Sequence, residues 1–165
     1  MRVEVGKVRV IGKKAPPITL PAHTGKTFEL SNELKDSHIM LAFYPGGAFK
    51  PVCLKQFCDY DENKDQFDKF NLKIVGVSKD SVDKQNQFAQ NNQYPFTFLS
   101  DHHNKVARSY GCNTLFMLNG PSRALFIIHS SGTILFRYVE PTILTRRGSK
   151  EVLKVLGELR ENSLI

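Results

Sequence analysis

Short apolar runs alternate with amphipathic stretches along most of this 165-residue chain. His38 to Tyr44 is an apolar run without strong alternation, the pattern of a buried strand, and Pro45, Gly46 and Gly47 then force a turn. From Pro51 to about Phe70 the apolar positions recur at helical spacing, with Phe57, Tyr60, Phe67 and Phe70 sharing one side and acids and lysines elsewhere, which predicts one helix. Leu72 to Val77 reads as a second buried strand. Ser81 is suited to cap a helix running to about Asn92, with Phe88 facing inward. Phe96 to Leu99 predicts a short strand and Asn104 to Tyr110 a short helix. Arg123 to His129 and Thr133 to Val139 pair as a hairpin across Ser130-Ser131-Gly132, and Lys150 to Asn162 closes as an amphipathic helix. This order predicts an α/β fold with a mixed central β-sheet flanked by helices, in a single domain over residues 1–165.

A hydrophobic content of 41% with 24% charged residues describes a globular protein able to bury a core without disulfide staples. No apolar run is long enough to span a membrane, and the segment Met1 to Lys7 lacks the apolar stretch of a signal peptide. The three cysteines are an odd number, without metal-like pairing or a histidine at ligand spacing. Reactive rather than structural thiols in a reducing, cytoplasmic compartment are expected, with no metal and no cofactor. The net charge of +7 is spread along the chain and interleaved with acids, as in Asp59-Tyr60-Asp61-Glu62-Asn63-Lys64-Asp65. That pattern predicts a solvated basic surface; a nucleic-acid binder needs a concentrated basic face with stacking aromatics.

The candidate chemistry centres on Cys53. Pro51 suits the first helical position, where its missing N–H costs nothing, so the Cys53 sulfur should lie among the unpaired N–H groups of a helix N-terminus, which favour a thiolate. The loop from Pro45 to Lys50 follows a buried strand, and ligands in open α/β sheets bind beyond the carboxyl ends of strands. Cys58 completes a C-x4-C pair, unlike the C-x-x-C of disulfide oxidoreductases. In an intact helix five residues rise about 7.5 Å, beyond the roughly 7 Å Cα separation that a disulfide tolerates. A bond between these two cysteines therefore requires local unwinding. Cys58 as simple helix packing, and Cys112 as a different sulfur partner, remain open. Arg123 opens an apolar strand, so its charge is either paired within a site or turned to solvent at the strand end. Gln56, one turn beyond Cys53, either hydrogen-bonds in the site or faces solvent.

The stretch Phe43 to Cys58 resembles the active-site segment of peroxiredoxins, and most resembles their bacterioferritin-comigratory, or Q-type, subfamily: Tyr44, Pro45, Pro51, Cys53, Gln56 and Cys58 fit its pattern. Ala15 to Pro21 and Gly25 to Phe28 resemble the family's opening; Gly76 to Ser81, Pro95 to Asp101, Tyr110-Gly111 and Arg123 to Ile128 recur in register. The resemblance implies a thioredoxin-like fold and a thiol-dependent peroxidase acting on hydrogen peroxide and small organic hydroperoxides. It implies that Cys53 becomes a sulfenic acid, that Cys58 resolves it, and that thioredoxin or a similar dithiol recycles the enzyme, which is expected to be monomeric. Arg123 would stabilise the thiolate and the polarised peroxide, Pro45 would shield the sulfur from water, and Phe49, Lys50 and Gln56 would line the peroxide site. Two departures stand out. One residue is inserted between Pro45 and Cys53, and Lys50 replaces the family threonine, exchanging a hydroxyl that donates and accepts for a group that only donates. A slower or differently selective peroxidase is the expectation they raise, with a weakened redox sensor or binding protein as the alternative.

Overall fold

The computed structural model describes residues 3–5, 8–46, 50–112, 121–141 and 145–165. Its centre is a five-stranded mixed sheet in the order β7-β6-β5-β8-β9: β5 (His38–Phe43), β6 (Leu72–Ser78), β7 (Thr97–Ser100), β8 (Ala124–Ile128) and β9 (Ile134–Val139). β5, β6 and β7 run parallel, whereas β8 pairs antiparallel with both β5 and β9. Helices α2 (Lys50–Glu62), α3 (Lys64–Asp68), α4 (Val82–Asn91), α5 (Lys105–Ser109) and α6 (Ser149–Glu161) flank it. The predicted mixed sheet with flanking helices is what forms, and the β8–β9 hairpin turns across Ser130 to Gly132, with Gly132 at φ 86°.

β5 is buried on both faces, which is why its sequence shows no alternation. Met40 and Ala42 point into a core shared with α2, α4 and α6; Ile39, Leu41 and Phe43 point into the opposite core with Val75, Phe126 and Tyr110. Gly76, in the middle of β6, lets the first core close. A Cβ there would lie 2.6 Å from a ring atom of Phe98 and 3.0 Å from Phe57, rings whose centroids stand 4.9 Å apart.

The structure differs from the sequence reading at one helix boundary and in several short elements. The single helix expected from Pro51 to Phe70 is two, α2 and α3. Asn63 leaves the helix (φ −109°, ψ 14°) and its side-chain amide donates to the Asp59 carbonyl at 2.8 Å, the local competition that asparagine offers a helix. The hairpins β1–β2 (Val3–Val5, Val8–Val10) and β3–β4 (Thr19–Pro21, Thr27–Glu29) and the short α1 (Leu30–Glu33) were not foreseen. Strands of three residues are too short to show a period. The Ser81 cap forms as expected, its hydroxyl accepting from the Lys84 amide, and Phe88 faces inward as expected, partly buried against Tyr44, Phe57 and Phe98 beside the buried Gln85 and Ala89.

Candidate active site

The sheet register assembles the site. Phe43 at the end of β5 faces Ala124 at the start of antiparallel β8, so the residue before β8, Arg123, arrives beside the carboxyl end of β5, next to Tyr44 and Pro45. The chain leaves β5 through buried Pro45 and through Gly46, whose φ of 70° strains any side-chain-bearing residue; a Cβ there would also lie 2.2 Å from an Asp80 oxygen and force that carboxylate to move. It re-enters at α2, with Pro51 in the first turn rather than at the first position. Cys53, Gln56, Phe57 and Tyr60, spaced at i, i+3, i+4 and i+7, form the buried face of that helix.

Cys53 and Arg123 are each only 1% exposed. Arg123 Nη2 donates to Cys53 Sγ at 3.1 Å and its Nη1 donates to Gln56 Oε1 at 3.0 Å. Gln56 Nε2 donates to the Tyr60 hydroxyl at 3.0 Å, which donates in turn to the Arg147 carbonyl at 2.8 Å. The alternatives left open for Arg123 and Gln56, a solvent-facing strand end and a solvent-facing helix position, are thus not what the fold builds. Tyr44, beside Pro45, is buried and donates from its hydroxyl to Gln85 Oε1, while Gln85 Nε2 donates to Ser78 Oγ and the Leu99 carbonyl, both at 2.8 Å. This network fixes the floor of the site to α4, β6 and β7, and the sequence reading missed it: a glutamine within a polar helix carries no signal of burial.

The expected lowering of the Cys53 thiol pKa is not the net result. Burial pushes it above the ordinary thiol value; the charge and hydrogen bond of Arg123 and a backbone hydrogen bond from Gly46 pull it back, and Asp80 adds to the rise. The helix terminus is expected to favour the thiolate through its free N–H groups, but Cys53 is buried to 1% exposure, and the Arg123 guanidinium is the main group that opposes the cost of desolvation.

Cys58 lies elsewhere on α2. Five residues turn the helix by about 140° net, so Cys58 points away from Arg123, is partly buried, and lies 3.0 Å from the Tyr94 hydroxyl. The intact helix through both cysteines keeps them apart, as the rise argument required. Cys112 is fully buried behind α5, its thiol donating to the Ala107 carbonyl at 3.3 Å; burial pushes its pKa up to about 12. Phe49 and the Lys50 side chain lie outside the described residues, as does the inserted position of the loop.

A cleft of about 650 Å³ opens over the sulfur, lined by Tyr44, Gly46, Pro51, Cys53, Leu54 and Phe88, together with Asp80, Lys84, Gln87, Asn91 and Asn92. A second cleft of about 420 Å³ lies at the amino ends of β6 and β7 and holds no cysteine. Among the described residues no group of three or more His, Cys, Asp or Glu is placed to hold a metal ion, and no helix is long and apolar enough to cross a membrane.

Comparison with known proteins places the chain in a family. Residues 11–137 match the model of the AhpC/TSA family. Peroxiredoxin Bcp of Bacillus subtilis is 32% identical over 158 residues, covering 92% of this chain and 97% of its own. Chloroplastic peroxiredoxin Q of Sedum lineare is 30% identical over 149 residues, covering 90% of this chain and 78% of its own. The crystal structure of peroxidoxin BcpB from Mycobacterium tuberculosis superposes with a TM-score of 0.78 at 28% identity, covering 92% of this chain and 97% of that one. The chain belongs to the AhpC/TSA family and has its thioredoxin-like fold. Within that family its relatives are peroxiredoxins of the Bcp and Q type, which makes it a thiol-dependent peroxidase.

Proposed function

We propose that the chain reduces hydrogen peroxide and small organic hydroperoxides through a Cys53 sulfenic acid that Cys58 resolves, and that a thioredoxin-like dithiol recycles it. The observation that carries this reading is the buried pair of Arg123 and Cys53, 3.1 Å apart at the base of a cleft. The Cys53 thiolate attacks one peroxide oxygen, the O–O bond breaks, and the departing alkoxide or hydroxide takes a proton to leave as alcohol or water. Arg123 is placed to donate to the sulfur and to the developing oxyanion, while Gln56 holds its other arm. Pro45 and Tyr44 exclude water from the sulfur. The Cys58 sulfur then attacks the sulfenic sulfur, water leaves, and a disulfide forms. Because α2 runs unbroken through both cysteines, this step requires its second and third turns to open.

The cleft exceeds what hydrogen peroxide alone needs, and Leu54 and Phe88 offer apolar surface to an organic hydroperoxide. The working unit is taken as a monomeric single domain acting in the cytoplasm, a reducing compartment that suits unpaired thiols. Intact mass of the reduced protein after one equivalent of hydrogen peroxide tests the scheme. The parent should lose two hydrogens, Cys58→Ser should gain one oxygen, and Cys53→Ser should stay unchanged on the same timescale. A Cys58→Ser protein that still closes a disulfide rapidly would pass the resolving role to Cys112.

A further inference from the structure

Tyr94 belongs to none of the steps above, yet its hydroxyl touches the second cysteine. The end of α4 places it. Asn92 ends the helix and Gln93 takes the left-handed conformation at φ 55°. The Gln93 amide donates to the Gln90 carbonyl at 3.1 Å and the Tyr94 amide to the Ala89 carbonyl at 3.0 Å, the paired bonds of a Schellman ending. The ring then packs on Phe88, 5.4 Å between centroids, and on Phe96 and Phe98 at 6.0 and 6.1 Å. A backbone lock and an aromatic bed thus hold the phenol against α2.

The hydroxyl donates to the Leu54 carbonyl at 3.2 Å and lies 3.0 Å from Cys58 Sγ. A phenol has one proton to give; with that proton on the carbonyl, the Cys58 thiol is the donor of the second bond. In an α-helix the carbonyl of residue 54 closes the turn onto the amide of residue 58. Tyr94 therefore holds both ends of the turn that separates the two cysteines, from outside the helix. Burial and the Cys58 contact push its own pKa up, so it stays a neutral donor.

We propose that Tyr94 is a positioning residue of the peroxidase cycle: its hydroxyl clamps the Leu54–Cys58 turn and so sets how fast the Cys53 sulfenic acid is resolved relative to its further oxidation. The inference rests on Cys58 being the resolving thiol. Two outcomes compete at the sulfenic acid. Attack by the Cys58 sulfur forms the S–S bond and releases water. Attack by the sulfenate on a second peroxide breaks another O–O bond, forms sulfinic acid and releases alcohol or water. Only the first requires the clamped turn to open, so a tighter clamp favours the second.

Tyr94→Phe removes the hydroxyl and keeps the ring. Losing the two hydrogen bonds of that hydroxyl shifts an opening equilibrium by roughly 5- to 100-fold. The variant should close the disulfide faster by that factor, by quenched-flow intact mass, and should need a correspondingly higher peroxide concentration for half of Cys53 to end as sulfinic acid. General damage to the pocket slows chemistry at Cys53 and does not accelerate disulfide closure. Amide exchange over residues 54–58 of the reduced variant should rise by a similar factor. Disulfide closure at the parent rate or slower, with an unmoved sulfinic threshold, overturns the clamp. Cys58→Ser run in parallel separates the two ideas: if it halts at the sulfenic acid while Tyr94→Phe matches the parent, the clamp alone falls. If Cys58→Ser closes a disulfide at the parent rate, the resolving assignment falls and the clamp with it.

Discussion

At the scale of single residues, the site depends on Arg123 doing two things at once. Its two terminal nitrogens reach Cys53 and Gln56 from a fully buried position, a fork that a lysine ammonium cannot copy. A charge-assisted hydrogen bond contributes about 1.5–3 kcal/mol, so Arg123→Lys should slow sulfenic acid formation by about 10- to 100-fold, measured in single turnover. Arg123→Met tests the electrostatics. Because the guanidinium is what opposes burial at the sulfur, its loss should push the Cys53 thiol further up. Alkylation of the variant at Cys53 should then keep rising with pH beyond the parent, where alkylation itself should continue past the range of an ordinary thiol. Coinciding profiles would show that the guanidinium does not govern the thiolate. The pairing of Cys53 with a distant arginine is legible in the sequence only through family resemblance: seventy residues separate the partners, and no local pattern links them.

At the scale of elements, α2 is both the site's scaffold and the part that must open. Besides the Tyr94 contact it holds α6: Asp59 accepts from the Ser149 amide at 2.6 Å and from its hydroxyl at 2.7 Å, and Arg146 stands 3.8 Å from the same carboxylate. Asp59 thus serves as the N-terminal cap of α6, since the residue in the capping position, Gly148, has no side chain to do so. Unwinding α2 as far as residue 59 would remove that cap. Hydrogen exchange compared between the dithiol and disulfide forms should show loss of protection from Val52 to about Asp61, with a second, smaller loss at residues 149–152. Unchanged exchange at both would mean that the disulfide forms without unwinding and that the partner assignment is wrong. The break at Asn63 limits how far opening spreads, since α3 is a separate helix with Phe67 anchored in the core. A sequence reading that joined α2 and α3 had the apolar spacing right, and it missed the side-chain bond that interrupts it.

At the scale of the whole molecule, two cores sandwich the sheet, and the three thiols fall into distinct environments within them: Cys53 beneath the cleft, Cys58 at a helix surface, Cys112 sealed behind α5. Burial raises the Cys112 pKa from the ordinary 9.0 to about 12, so the folded state resists ionisation more than the unfolded one. Its contribution to stability is complete below about pH 9 and is lost as pH rises toward 12. Denaturant unfolding followed across that range should show a shallower alkaline decline for Cys112→Ala than for the parent; an identical decline would mean that this thiol does not titrate with unfolding. The pattern of apolar runs by itself determined the mixed sheet, its hairpin and most of the flanking helices, because buried strands and amphipathic helices are written in local periodicity, and Pro51 by its backbone chemistry placed the start of α2 within one residue of Lys50. The three-residue hairpins lay below the resolution of any period. Only tertiary structure decided that Arg123 reaches Cys53, through the antiparallel register of β8 on β5, and that burial rather than a helix terminus dominates the thiol. It alone brought Tyr94 to Cys58, through the turn that ends α4. Such contacts join residues far apart in the chain, and sheet register and helix packing set them, whereas local sequence carries only the propensities of each element.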